Sequence, residues 1–385
     1  MLRYFLRTNG NMKHGHREAA RSLFAKDTLT IELSTGNEAT TMPVYLVGNF
    51  NSWKVNDENY RMRLDAPGKY SFTFPTHLTL PEPFEYKFVR NGWENEELDE
   101  YGCLTRNRVL INACGHIHNN VPRWRKSGIE YDPALLPEIR IISKEINMEE
   151  VIKKRRVSIL LPHDYANSDK KYPVLYLQDG QNLFDDYAPF GNWSVNKRMA
   201  VLAEKKHHEV IVVAIDHGGK DRIREFLPYE GTRFGAAIGK TYAHWIVETL
   251  KPYIDAHYRT LPDAEHTGIG GSSMGGLISI YATLMYPHTF SKMMVFSPSL
   301  WVASKVFFDA IHFTHPDPTK VYLYAGGKEG SQMVPNVQRF KTALEKLGFN
   351  DSPVEFKLVI DPKGEHNEER WGVEFPRALE WLYYR

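Results

Sequence analysis

Gly271-Ser272-Ser273-Met274-Gly275 places a serine between two spaced glycines, with an apolar run at His266–Gly270 before it and a helical run opening at Gly276. A serine hydroxyl is a poor nucleophile unless it is held exposed in strained geometry beside a base. Small residues two before and two after it let a strand and a helix close around such a turn. Ser273 is therefore the expected nucleophile. Its base should be a histidine with an acid behind it, both delivered by later loops. His366, in Lys363-Gly364-Glu365-His366-Asn367, follows the last apolar strand and could take the serine proton and pass it to a leaving alcohol. Glu329 follows the preceding strand and is the expected acid. Asp361, on the same strand exit as His366, is its rival. Two backbone donors would hold the tetrahedral oxyanion: the N–H of Met274, directly after the serine, and that of Gln181, where the run Tyr176–Asn182 turns.

The elements that must position these groups are legible as an alternation. Apolar strands are expected at Arg155–Leu161, Val174–Leu177, Val210–Ile215, Thr267–Gly270, Met293–Phe296, Val321–Tyr324 and Val354–Ile360. Helices are expected at Tyr242–His257, Gly275–Tyr286, Val337–Leu347 and Pro376–Tyr384. Near-continuous apolar strands alternating with helices imply a mostly parallel sheet covered on both faces, and function then collects at the strands' carboxyl ends. With the serine turn in place this is an α/β-hydrolase fold, expected over residues 139–385. Upstream the text is different. Short segments rich in aromatic and β-branched residues (Thr28–Leu33, Pro43–Gly48, Lys69–Phe74, Phe84–Arg90, Arg108–Asn112) are broken by turn signals such as Asn91-Gly92. They imply an all-β, immunoglobulin-like sandwich over 19–122, after an N-terminal tail (1–18) and before a proline-broken linker (123–138).

Composition narrows the function. The chain has 385 residues, with 48 Lys and Arg against 47 Asp and Glu, so no global field favours nucleic acid or an anionic membrane. The short basic run Lys153-Lys154-Arg155-Arg156 is expected to be a solvated turn. Two cysteines, Cys103 and Cys114, exclude a disulfide scaffold, and the N-terminus shows no export signal, so a cytoplasmic location is expected. No motif specifies an oligomer. Metal is not expected either: His14 and His16 lie in a polar tail, and Cys114, His116 and His118 lack the spacing of a structural zinc site.

A set of motifs carries a family resemblance. Asp179-Gly180-Gln181-Asn182-Leu183-Phe184, Ile215-Asp216-His217-Gly218-Gly219 with Arg222 and Glu225, the Ser273 turn, Ser297-Pro298-Ser299, and Gly364-Glu365-His366-Asn367 with Trp371 together resemble the putative esterase family. That family includes enterochelin esterases, esterase D-type enzymes, and the feruloyl and acetyl-xylan esterases of carbohydrate esterase family one. The resemblance spans about residues 139 to 385. It implies cofactor- and metal-independent hydrolysis of a small-molecule or glycan ester, with Ser273, Glu329 and His366 in the triad positions. Acyl transfer by the same triad, or a glycan-binding module on an inactive scaffold, are the alternatives.

Phe184, Phe190, Trp193, Phe226, Tyr229, Trp301 and Trp371 lie at the expected catalytic face. Trp193, Phe226, Trp301 and Trp371 are the residues expected to bind substrate. Arg222 and Glu225 are expected to pair with each other. In the first domain, Val47–Trp53 and Phe84–Arg90 resemble glycogen-binding and related early-set sandwiches. Trp53, Lys87 and Trp93 are the residues a sugar would use, since an indole face stacks on a pyranose. The expected role there is packing beside the catalytic domain.

Overall fold

The computed structural model describes residues 28–36, 42–142, 154–186, 188, 190–206, 209–230, 236–313, 318–345 and 354–385. The tail with His14 and His16 lies outside them. The chain divides into two compact units, residues 1–129 and 130–385. The division falls within the stretch read as a linker. Both ends of that stretch are structured, however: Arg123–Trp124 and Glu138–Ile141 are strands, because each finds a partner inside its own unit.

The first unit contains β1 (Thr30–Thr35), β2 (Val44–Gly48), β3 (Arg63–Ala66), β4 (Lys69–Thr73), β5 (Phe84–Arg90), β6 (Glu97–Leu98), β7 (Arg108–Leu110), β8 (His116–Val121) and β9 (Arg123–Trp124). One sheet runs β3-β4-β1-β8 and a second runs β2-β5-β7, with β6 and β9 as a separate pair. Alternate residues of β1 (Ile31, Leu33), β2 (Val44, Leu46) and β5 (Phe84, Tyr86, Phe88) share one core, so the two sheets face each other. Phe50 stacks on Phe84 within it, at 5.1 Å between ring centroids. Residues 116 and 118 lie on one face of β8. His116 and His118 project on one side and flank Glu32 of β1, with Nδ1 to carboxylate distances of 3.4 and 2.7 Å. Neither cysteine forms a disulfide; Cys103 is buried and Cys114 exposed.

The second unit is built on β10 (Glu138–Ile141), β11 (Val157–Leu161), β12 (Val174–Gln178), β13 (Ile211–Ile215), β14 (Thr267–Ser272), β15 (Lys292–Phe296), β16 (Thr319–Gly326) and β17 (Val354–Asp361). Its helices are α1 (Val195–Glu204), α2 (Arg222–Glu225), α3 (Gly239–Trp245), α4 (Lys251–His257), α5 (Ser273–Met285), α6 (Lys305–Ile311), α7 (Met333–Glu345) and α8 (Glu368–Tyr384). The strands form one sheet in the order β10-β11-β13-β12-β14-β15-β16-β17, with β11 antiparallel to both its neighbours, β10 and β13, and every other neighbouring pair parallel. Alternation sends Met293, Val295, Val321 and Leu323 into a core with α5 and α7. Phe296 and Tyr322 point the other way, to Trp193 and to Trp381 of α8. Both faces are therefore covered, as an α/β-hydrolase sheet requires.

Two helices differ most from expectation. Tyr242–His257 is α3 and α4 joined through a π-helical turn at Ile246–Leu250, where Pro252 offers no N–H to a regular ladder. α8 begins at Glu368, eight residues before Pro376 (376 − 368 = 8), because Asn367 caps it by accepting the Arg370 N–H at 2.9 Å. The basic run is not simply a solvated turn either: Lys154 is exposed, but the two arginines are engaged. Arg155 is buried against Glu225 (2.5 and 2.8 Å), and Arg156 pairs with Asp216 at 3.1 Å.

Candidate active site

The chain moves from β12 to β13 on one side of the sheet and then to β14 on the other, so the crevice between the carboxyl ends of β12 and β14 is the topological switch point. The loop after β14 carries Ser273, and the loop after β12 carries Gln181. Ser273 is the first residue of α5 and has φ +54, the left-handed conformation of a tight strand-to-helix elbow. The flanking glycines are required there. A Cβ on Gly271 would meet the backbone of Gly275 at 2.9 Å, and one on Gly275 would meet Asp179 Oδ2 at 2.9 Å. Ser273 Oγ lies 3.2 Å from Ser299 Oγ, and the Ser299 N–H donates to the Ser273 carbonyl at 3.0 Å. Ser299 is thus the hydroxyl's partner in this structure, rather than His366.

Met274 N–H is in the first turn of α5 and Gln181 N–H in a 3-10 turn, Gly180–Asn182, positions where a helix has no internal acceptor. Neither donates to a described residue. The Gln181 loop is pinned by its own side chain, whose Oε1 accepts the N–H of His217 at 3.1 Å. Beneath it, Asp179 (φ +57, buried) takes a bidentate pair from Arg222 at 2.6 and 2.8 Å. This corrects the expected Arg222–Glu225 pair: Arg222 holds the Gln181 loop, while Glu225 is the buried partner of Arg155.

The loops after β16 and β17 are stitched together by backbone bonds, from Gly327 N to Asp361 O (2.8 Å) and from Lys328 N to Gly364 O (3.0 Å). They bring Glu329 to His366, with Oε2 2.7 Å from Nδ1 and a carboxylate side chain only 1% exposed. Asp361 is engaged elsewhere, by Arg370 at 2.9 Å and the Lys363 N–H at 3.0 Å. Oε1 of Glu329 accepts Ser297 Oγ–H (2.7 Å) and the Gly326 N–H (2.8 Å), and Ser297 Oγ accepts the Trp371 indole N–H (3.0 Å). Gly326 allows this approach, since a Cβ there would sit 2.5 Å from Oε1. At the start of α8, burial pushes the Glu368 carboxyl up, and Asn182 Nδ2 donates to it at 3.2 Å. Burial pushes the neighbouring His217 imidazole down.

The aromatics separate into two groups. Phe226 is wholly buried beneath Tyr242 and Arg222, and Trp193 is wedged between Phe296 and Trp371, so neither has surface to present to a substrate. Trp371 is likewise buried, its indole spent on Ser297 and its ring set against His366 at 4.8 Å and 84°. Trp301 is 49% exposed, two residues beyond Ser299. In the first unit, Trp53 and Trp93 lie 6.4 Å apart with Trp93 exposed, whereas Lys87 is engaged by Glu96 at 3.1 Å. Ser297, Ser299 and Asp179 were not singled out for a role by sequence reasoning. Their signals are membership of the motifs that carry the family resemblance and their place at the ends of β15 and β12, next to the elbow strand.

The family model described as "Putative esterase" matches residues 149–382. The chain is 26% identical over 245 residues to the uncharacterized protein YbbA of Bacillus subtilis, covering 60% of this chain and 92% of that one. It is 24% identical over 324 residues to an endo-1,4-beta-xylanase/feruloyl esterase of Xylanibacter ruminicola, covering 77% of this chain and 41% of that one. In fold it resembles the enterobactin esterase FES from Shigella flexneri, with TM-score 0.50 and 16% identity over 93% of this chain and 94% of that one. Among the described residues no helix is long and apolar enough to cross a membrane. With an α/β-hydrolase sheet under a serine elbow and the family model matching most of the second unit, the chain belongs to the putative esterase family and is an ester hydrolase.

Proposed function

We propose that the protein is a serine carboxylesterase working through an acyl-enzyme on Ser273. His366 Nε2 accepts the Ser273 proton as Oγ adds to the ester carbonyl. The N–H groups of Met274 and Gln181 receive the oxyanion, and His366 returns the proton to the departing alcohol. Water then repeats the sequence, giving the acid and restoring Ser273. Glu329 orients the imidazole and stabilises its cation. The observation that carries this reading is the 2.7 Å contact between His366 Nδ1 and the buried Glu329 carboxylate, on the loops beside a serine held at φ +54. The engagement of Asp361 by Arg370 favours Glu329 as the acid.

The acyl or alcohol group is placed against Trp301, with esters of aromatic or glycan-linked acids, including catecholate siderophore esters, as the substrate class. The exposure of Trp301 supports this, as does the feruloyl esterase among the relatives. The test is hydrolysis of a panel of short nitrophenyl esters, feruloyl and acetyl sugars and a catecholate trilactone by wild type and Ser273→Ala. Ser273→Ala is expected to lose at least about a thousandfold in turnover while remaining folded. Wild-type rates in that variant, or no labelling of the folded wild type by a fluorophosphonate, would overturn the assignment.

A further inference from the structure

The hydrogen bonds on Glu329 run in a direction that chemistry leaves no freedom to reverse. Ser297 Oγ lies 3.0 Å from Trp371 Nε1 and 2.7 Å from Glu329 Oε1. An indole N–H can only donate, so Ser297 must accept from Trp371 and direct its single proton to the carboxylate. With the Gly326 N–H at 2.8 Å, Oε1 holds two donors. His366 is the one ion-pair partner of Glu329 among the described residues, and it meets Oε2. An ionised carboxylate only accepts, so the imidazole must offer Nδ1–H, and Nε2 keeps its lone pair for the serine proton.

We propose that Ser297 and Trp371 are positioning residues of the reaction: they saturate Oε1 of Glu329, leave Oε2 to the imidazole, and hold His366 in the Nδ1–H tautomer with its ring plane set against the indole. This rests on the roles given above to Ser273, His366 and Glu329. Neither residue touches the reacting atoms. The packing behind them is aromatic. Trp193 backs the Trp371 indole at 6.3 Å between centroids and is itself 5.2 Å from Phe296. Ser297 is fully buried at φ +47, with its N–H on the Tyr324 carbonyl at 2.8 Å, a conformation that side-chain-bearing residues rarely adopt. A glycine would relieve that strain but could not relay a proton donor to Glu329. The charged groups around the imidazole, besides Glu329, are Glu368 on α8, which interacts with it electrostatically, and the outlying Lys328–Glu365 pair at 3.3 Å. The variants below leave all of them in place.

The test is the full chain carrying Ser297→Ala, Trp371→Phe and both, read in two independent ways. In kinetics, Ser297→Ala should lower kcat about 10- to 100-fold with KM within about twofold, the loss matching one hydrogen bond to a charged group. The acid limb of its pH profile, set by proton uptake on the general base, should move to higher pH, because a carboxylate with fewer donors holds the imidazolium more strongly. Trp371→Phe, which keeps a ring and removes the N–H, should act in the same direction but less. The double variant should be no worse than Ser297→Ala, since the two residues act in series. In NMR of protein with labelled histidine, the low-field Nδ1–H signal of His366 should be sharp in wild type and broadened or displaced in both variants. Losses that multiply in the double variant, an unmoved acid limb, or an unchanged Nδ1–H signal would overturn the proposal. The NMR readout needs no turnover. A wild type without Ser273-dependent hydrolysis would therefore sink the reading of the reaction, while the Nδ1–H signal would still decide the relay. If Ser297→Ala does not fold, Trp371→Phe decides it by both readouts.

Discussion

Two glutamates, one in each unit, are almost wholly buried and are satisfied in opposite ways. Glu97 in the first unit has Arg108 Nη1 2.5 Å from each of its oxygens and accepts the Phe88 N–H at 3.0 Å. Burial nevertheless pushes its carboxyl above the usual range, against the pull of Arg108. Glu329 in the second unit has neutral donors on one oxygen and an imidazole on the other. A guanidinium is always charged, so the Glu97 pair is static and its work is structural. An imidazole gains and loses a proton near neutral pH, so a buried carboxylate that reserves one oxygen for it can stabilise a charge that comes and goes. The partner, rather than the carboxylate, separates a structural acid from one suited to catalysis.

The contrast breaks most readily at Glu329. Glu329→Gln keeps the shape but can present an amide N–H to Nδ1, and kcat should fall by about 10³- to 10⁴-fold with little change in thermal midpoint. Asp361→Asn, which weakens the Arg370 contact, should lose far less activity. The reverse ranking in steady-state kinetics would move the acid role to Asp361. At Glu97 the expected result is inverted: Arg108→Ala leaves a buried carboxylate without its guanidinium and should destabilise the first unit by about 3–5 kcal/mol in denaturant titration. Hydrolysis of a small ester per folded molecule should stay unchanged.

Lys292 sharpens the comparison with the smallest effect. It is a buried cation set over the Tyr383 ring at 5.4 Å, and burial lowers its ammonium from 10.5 to about 8. Between those values the unfolded chain holds the proton that the folded chain has released, so stability rises with pH across that window. The penalty is fully present below pH about 8 and gone by about 10.5. Lys292→Met should therefore stabilise at neutral pH by about 1–3 kcal/mol, with the gain shrinking as denaturation is repeated at higher pH.

How much was legible follows the range of each interaction. The Ser273 elbow could be read because glycine, serine and glycine within one turn, between an apolar strand and a helix, are a local pattern. Proximity along the chain suggests a pair of Arg222 with Glu225, but each side chain reaches a distant partner instead: Asp179 on the loop after β12, and Arg155 at the entry to β11. Trp193, Phe226 and Trp371 illustrate the same limit. Their place near strand ends was right, but whether an aromatic faces a cleft or closes a core depends on which helix lies over it, and α8 covers Trp193 and contains Trp371. The acidic run after Asn91 carries no local signal of its role, yet Glu96 and Glu97 are the groups that hold Lys87 and Arg108.

By itself the sequence determined the alternation of strands and helices, the elbow at Ser273, and the presence of a histidine and two acids on the last strand exits. All of these are properties of residues within a few positions of one another. Only the tertiary structure decided which acid meets His366. β16 and β17 pair in parallel with Gly326 opposite Asp361, so both acids leave the sheet at nearly the same level. The choice is made by Arg370 of α8, which engages Asp361, and by Ser297 and Gly326, which turn Glu329 toward the imidazole. Those contacts join separate loops across the edge of the sheet, and register and helix packing, which no local pattern encodes, bring them together.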